Sequence, residues 1–250
     1  MSNVIFLFPH PDDEAVFMGG TIARHIDAGD KVFLICASNG ERSGNSEKRS
    51  RALFYFMFRL MGKLPVLFFV QKLTIKLLSI LRRPDPKLSE MRKGEAEEAM
   101  RILGACEIIF WEIEDMKISK NAQKIAGLAE RALNSIMPDK MYILHPNGIT
   151  DHPDHTALTK LFLRYIKTLP RERRPHVFGA TITKSIIEKY SLPLIGVSEA
   201  DISVETRLNE IELAKKKLAV QAYKSQQYLW SVFLEKYPEL LEKEYFVKLY

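Results

Sequence analysis

Two short runs hold most of the residues able to do chemistry: Pro9-His10-Pro11-Asp12-Asp13-Glu14 and His152-Pro153-Asp154-His155. Four of the six histidines, His10, His145, His152 and His155, lie in or beside these runs. Histidine and carboxylate together are the ligand set of catalytic zinc, where three protein ligands leave a fourth position for water. His10 and Asp13 supply two such ligands from one loop, and His155 is the expected third. Water bound to Zn2+ has its pKa lowered toward about 7, so hydroxide becomes available at neutral pH. Asp12 is adjacent to a ligand but its side chain diverges from it, which makes it the candidate general base. His152 and Asp154 remain. A histidine paired with a carboxylate is held in one tautomer, so His152 is a candidate oxyanion stabiliser and acid with Asp154 behind it.

These residues need a frame that brings two distant loops together. Val4 to Phe8 is a continuous apolar run, as expected of a parallel strand covered on both faces, and a helical pattern follows from Glu14 to Ile26. Lys31 to Ala37, Ile108 to Trp111, Met141 to Leu144, Val177 to Thr181 and Ile202 to Val204 read as further strands. Helical patterns lie at Ala122 to Met137, Thr156 to Leu169 and Arg207 to Gln226, and Ser89 is placed to cap another that ends at Gly104. The alternation predicts an α/β fold, a Rossmann-like three-layer sandwich with a mostly parallel sheet. Both histidine motifs directly follow predicted strands, where such sheets bind ligands.

The sequence resembles the zinc-dependent de-N-acetylases that act on N-acetylglucosamine conjugates, a family with a Rossmann-like fold. The likeness rests on His-Pro-Asp-Asp-Glu at His10 to Glu14 followed by Gly19-Gly20-Thr21, and on His-Pro-Asp-His at His152 to His155. It continues through Asn39-Gly40-Glu41, Arg92, Glu95, Ala99, Leu103-Gly104 and Ser225-Gln226, and covers most of the chain outside Ser50 to Lys87. The resemblance implies zinc on His10, Asp13 and His155, Asp12 as base, and His152 with Asp154 at the oxyanion. It also implies substrate contacts from Arg92 and Asp115. Two positions depart from the family pattern: Met116 stands where glycine is common, and Tyr223 replaces a histidine.

Composition narrows the remaining choices. At 250 residues, with 46% apolar and 27% charged residues, one domain is expected. The net charge of +6 is concentrated, because Arg51, Arg59, Lys63, Lys72, Lys76, Arg82 and Arg83 fall in a stretch without acids. That pattern argues against general nucleic-acid binding and for a local device, a basic apolar helical insertion at 50–87. It has no run of about 18 uncharged residues, so it does not span a bilayer. Lys72, Lys76, Ser79 and Arg83 mark one polar edge of an amphipathic helix, which predicts contact with an anionic membrane surface. The alternative is a helical lid packed on the domain or on a second copy. The N-terminus lacks a secretory pattern, so a cytoplasmic location is expected, at the inner membrane face where the insertion makes that contact. Cys36 and Cys106 read as core thiols.

The expected activity is removal of an N-acetyl group from an amino-sugar conjugate, lipid-linked in the simplest reading. A soluble conjugate, or an inactive metal-binding module, is the alternative. A nucleotide-binding module is disfavoured, because no Gly-x-Gly-x-x-Gly follows the first strand and Asp12-Asp13-Glu14 occupies the turn a phosphate would need.

Overall fold

The computed structural model describes residues 1–42, 56, 60, 83–105, 107–150 and 152–250. The predicted amphipathic helices of the 50–87 insertion lie outside the described residues, as does Cys106. The Asp85 N–H donates to Glu41 O at 3.0 Å, so the chain returns from the intervening segment beside the point where it left.

Seven strands form one sheet: β1 Asn3–Phe8, β2 Lys31–Cys36, β3 Ile108–Phe110, β4 Lys140–Leu144, β5 His176–Thr181, β6 Val204–Arg207 and β7 Lys243–Lys248. Their order is β3-β2-β1-β4-β5-β7-β6. The first five are parallel and the last two antiparallel to their neighbours. With its flanking helices this is the predicted three-layer α/β sandwich. Strand β1 shows why the sequence is apolar at every position there. Val4, Phe6 and Phe8 enter one core and Ile5 and Leu7 the other, so neither face meets water.

Helices α1 Asp13–Asp27, α2 Pro86–Leu103 and α6 Glu210–Ala222 cover the first face, while α3 Ala122–Ile136 and α4 Pro153–Thr168 cover the second. The smaller helices are α5 Lys184–Tyr190, α7 Gln227–Lys236 and α8 Glu239–Glu242. From β1 the chain adds strands toward β3, then crosses to the opposite side with β4 and β5. The switch point therefore lies between β1 and β4, which pair directly at Val4↔Lys140, Ile5↔Met141 and Phe6↔Tyr142. A crevice opens at the carboxyl ends of such a pair. The two histidine motifs follow those two strands.

Several boundaries differ from the sequence reading. Helix α2 is capped by Asp85, not Ser89: its carboxylate accepts from the Lys87 and Leu88 N–H groups at 3.0 and 3.4 Å, with Pro86 at the first turn. Pro86 and Lys87, read as the end of the insertion, thus belong to α2. Helix α4 begins at Pro153, so His155 sits within its first turn and His152 is its N-cap. The last helix predicted from Arg207 starts at Glu210, behind an Asn209–Glu212 capping box. Strand β7 was not anticipated. Its six residues follow helical sequence without a turn signal, and they become a strand by pairing with β5 and β6.

One buried cluster locks this arrangement. Glu244 of β7 accepts from the Gly20 and Thr21 N–H groups of α1 at 2.9 and 2.8 Å, and from Lys216 Nζ of α6 at 2.7 Å. Lys216 and Glu244 are 0% and 2% exposed, so neither has water as an alternative partner.

Candidate metal centre and active site

The crevice at the switch point gathers His10, Asp12 and Asp13 from the loop after β1 with His152, Asp154 and His155 from the start of α4. Three ligand atoms form a near-equilateral triangle. His10 Nδ1 lies 3.2 Å from His155 Nε2, and Asp13 Oδ2 lies 3.5 and 3.3 Å from those two nitrogens. Zinc–ligand bonds of about 2.0–2.1 Å in tetrahedral geometry set neighbouring ligand atoms about 3.3 Å apart. The residues present therefore fit a metal ion in both donor type and spacing.

The far side of each ring supports the same assignment. His155 Nδ1 faces Gly148 O at 3.0 Å and Thr150 Oγ1 at 3.2 Å, which places its proton on Nδ1 and leaves Nε2 a lone pair. Gly148 has φ +78°, and a Cβ there would press on Thr156, so only glycine presents this carbonyl without strain. His10 Nε2 faces Asp115 Oδ1 at 3.2 Å and Asp154 Oδ2 at 3.5 Å, freeing Nδ1 for the triangle. A metal-ligating histidine whose other nitrogen meets a carboxylate or carbonyl is the usual supporting arrangement.

Electrostatics follow from crowding. Burial works against a charged His10, but the Asp115 carboxylate, with Asp13 and Asp154, outweighs it and holds the pKa well above the ordinary value. Three carboxylates around one imidazole create a negative potential that a cation answers. Burial, assisted by neighbouring imidazoles, lowers the pKa of His155 and lowers that of His152 further. Asp13 is held below the carboxylate range, because His155 and His10 overcome the cost of its burial.

Asp12 points away from the triangle. Its Oδ2 accepts from Arg92 Nη2 at 2.8 Å, and burial, only partly offset by that guanidinium, pushes its pKa up to about 7. Its φ is +104°, a conformation that costs a non-glycine residue about 1–3 kcal/mol. Glu14 holds it there: one Glu14 oxygen accepts the Asp12 N–H at 3.1 Å and the other accepts the Tyr223 hydroxyl. Glu14 and Tyr223 are both 0% exposed. Tyr223, the residue that departs from the family pattern, is therefore part of the support for Asp12.

One expectation needs correction. The Asp154 carboxylate does not pair with His152. It accepts from the Met116 and Ile118 N–H groups at 2.6 and 3.2 Å, while His152 Nδ1 accepts the Asp154 backbone N–H at 3.3 Å as the helix cap. Both Asp154 oxygens are taken up by that distant segment, so the carboxylate is turned away from the N-cap ring. Arg92 and Asp115, the expected substrate contacts, are 3% and 4% exposed. Arg92 reaches Asp12, Pro11 O at 2.8 Å and Gly40 O at 3.2 Å, and Asp115 faces His10. Gly40, with φ +65°, makes room for the guanidinium where a Cβ would collide with it.

His145 stands apart from the triangle, its Nδ1 accepting the Asn147 N–H at 3.3 Å. His25 is half-buried on α1 and bonded to Asp30 and Tyr142 at 2.8 and 3.0 Å. Thr150, Gly148 and Trp230 were not singled out from the sequence. Trp230 is 8% exposed, and its buried indole N–H has no hydrogen-bond partner among the described residues.

The family model described as PIG-L, GlcNAc-PI de-N-acetylase, matches residues 5–166, from within β1 through both motifs to the end of α4. The chain belongs to the PIG-L family. PIG-L proteins are deacetylases, amide hydrolases that depend on a metal, and the triangle in this PIG-L chain has the donor set such chemistry needs. A probable N-acetyl-alpha-D-glucosaminyl L-malate deacetylase 2 of Bacillus cereus is 27% identical over 185 residues, covering 73% of this chain and 69% of the relative. Among solved structures, the N,N'-diacetylchitobiose deacetylase of Pyrococcus horikoshii matches with TM-score 0.61 and 18% identity, over 97% of this chain and 82% of that one. The 4-carboxy-2-hydroxymuconate hydratase GalB of Pseudomonas putida matches with TM-score 0.61 and 17% identity, over 100% and 97%. A hydratase on the same frame shows that the fold alone does not choose the reaction. Among the described residues of this PIG-L chain, no helix is long and apolar enough to cross a membrane.

Proposed function

We propose that the chain is a zinc-dependent hydrolase that removes the N-acetyl group from an N-acetylglucosamine-type conjugate. The observation that carries this reading is the triangle of His10 Nδ1, Asp13 Oδ2 and His155 Nε2 with an Asp12 carboxylate excluded from it and set beside it. Bound zinc supplies Lewis acidity and lowers the pKa of water. Asp12 accepts the proton of the attacking water and, once protonated, is an acid for the leaving amine. His152 keeps Nδ1 as an acceptor for the helix cap, so its Nε2 carries the proton and donates to the developing oxyanion. Arg92 orients Asp12, and Asp115 orients His10. Amine release from N-acetylglucosamine conjugates, measured with a lipid-linked and a soluble substrate side by side, tests the activity and chooses between the aglycones. No release from either, by protein carrying one metal per chain, rejects the reading.

Tyr223 acts as a positioning residue through Glu14. Tyr223→Phe is expected to lower kcat about tenfold, the worth of one buried hydrogen bond of about 1.4 kcal/mol, with KM and metal content unchanged. Steady-state kinetics beside metal analysis check this, and a loss confined to KM or to metal assigns Tyr223 another role.

The sequence of the 50–87 segment supports a peripheral contact with an anionic inner membrane leaflet, next to a cytoplasmic active site. Intact protein is expected to float with anionic vesicles, and protein lacking that segment is expected to stay behind. Equal behaviour of the two rejects the contact.

A further inference from the structure

A cavity of about 100 Å3 lies between α1, the end of β5, α7 and the start of β7. Its wall includes Val16, Phe17, Ile182, Leu194, Trp230 and Phe233. The charged groups that reach it are spent on one another, since Lys216 pairs with Glu244 at 2.7 Å and Lys243 with Glu205 at 2.6 Å. A sugar hydroxyl placed there would give up water for little in return, whereas an aliphatic group would lose nothing.

Three lining residues place this cavity beside the catalytic centre. Val16 donates its N–H to Asp12 O at 3.1 Å, one helical turn from the proposed base. Thr150, an exposed lining residue, contacts His155 Nδ1 at 3.2 Å. Trp230 lines the cavity, and its buried indole N–H has no hydrogen-bond partner among the described residues. The cavity thus shares Val16 and Thr150 with the immediate surroundings of Asp12 and His155.

Volume limits the length of that chain. An apolar cavity of about 150 Å3 admits benzene, so 100 Å3 admits about four carbons. We propose that this cavity is a subsite for a short aliphatic chain carried by the amino-sugar substrate, entered from the catalytic centre past Thr150 and Trp230. This rests on the deacylase reading above. The chain is either the N-acyl group itself or an alkyl aglycone, and both present the same chemistry.

Turnover of four glucosamine derivatives by the metal-loaded protein tests it: the N-acetyl methyl glycoside as reference, the N-pentanoyl methyl glycoside, the N-acetyl butyl glycoside, and the N-octanoyl methyl glycoside. Each fully buried methylene is worth about fourfold, so the preferred four-carbon substrate is expected to exceed the reference at least tenfold in kcat/KM. The arm that gains identifies the chain's attachment. N-octanoyl is expected to gain nothing beyond N-pentanoyl, because the cavity ends. Leu240→Trp and Leu194→Phe, two partly buried wall positions, are each expected to remove the chain's advantage. No gain in either four-carbon arm overturns the proposal, as does a rise that continues to octanoyl or an advantage that survives in both variants with a native melting transition. Should the reference also be inert, the deacylase reading fails and this inference fails with it.

Discussion

Asp12→Asn is expected to retain a full complement of metal and to lose about 10^3-fold in kcat, within the range attributable to a positioned general base. The reason lies in how two adjacent aspartates diverge. Asp13 Oδ2 stands within 3.5 Å of both ring nitrogens of the triangle, whereas Asp12 Oδ2 is turned to Arg92 at 2.8 Å. Asparagine has nearly the same shape, and its amide oxygen still accepts from Arg92. It also leaves the backbone N–H to Glu14, so the strained φ of +104° persists. What it cannot do is take a proton. KM is therefore expected to change little, and the loss to appear in kcat and kcat/KM together. Metal analysis of the purified variant makes the outcome unambiguous: stoichiometric loss of metal would show that Asp12 and Asp13 have exchanged roles.

Arg92 sharpens this argument, because its charge has two opposed effects on Asp12. It stabilises the carboxylate against burial, yet burial still dominates and leaves the pKa near 7. The same guanidinium is tied to Pro11 O and Gly40 O, so it clamps the loop after β1 to the loop after β2. Orientation of Asp12 is thus set by the loops after two neighbouring strands, tied together by one buried arginine. A loop alone could not hold a carboxylate at a fixed distance from a metal site with so little freedom.

What could be read from the sequence divides along physical lines. The alternation of apolar runs with helical patterns was sufficient for the α/β sandwich, since every residue from Val4 to Phe8 must be buried and few other folds demand that. The histidine motifs were legible for a related reason: their residue types are costly to bury without a purpose. The contacts of Arg92, Asp115 and Asp154 were not, because local spacing does not say which way a polar side chain turns once a distant loop arrives. Asp154 illustrates this. Its neighbours in sequence suggested His152, but the Met116 and Ile118 N–H groups, nearly forty residues away, offered it two bonds that helix geometry allowed. Strand β7 escaped for the opposite reason, its identity being set by β5 and β6 rather than by its own six residues.

Removing one corner of the triangle is the more drastic change. His155→Ala is expected to abolish stoichiometric metal and to lower kcat/KM by at least 10^4-fold, the largest effect of any substitution considered. Its Nε2 closes the triangle, and its Nδ1 is held by Gly148 O and Thr150 Oγ1, so the ring is fixed as a ligand from its far side. His152 is the informative control. It lies close enough to join His10 and His155, their ligand atoms falling within 4.8 Å of one another, and a second histidine set is therefore conceivable on distance alone. Yet its Nδ1 is the acceptor that caps α4, and its ring meets that of His10 edge-on, with centroids 4.6 Å apart. His152→Ala is accordingly expected to keep the metal while losing turnover. Thr150→Val, which removes one contact behind the ligand but not the ligand, is expected to weaken metal affinity only about 10- to 100-fold. Competition with a chelator ranks the three variants, and metal retained in His155→Ala but lost in His152→Ala would move the third ligand from the first turn of α4 to its cap.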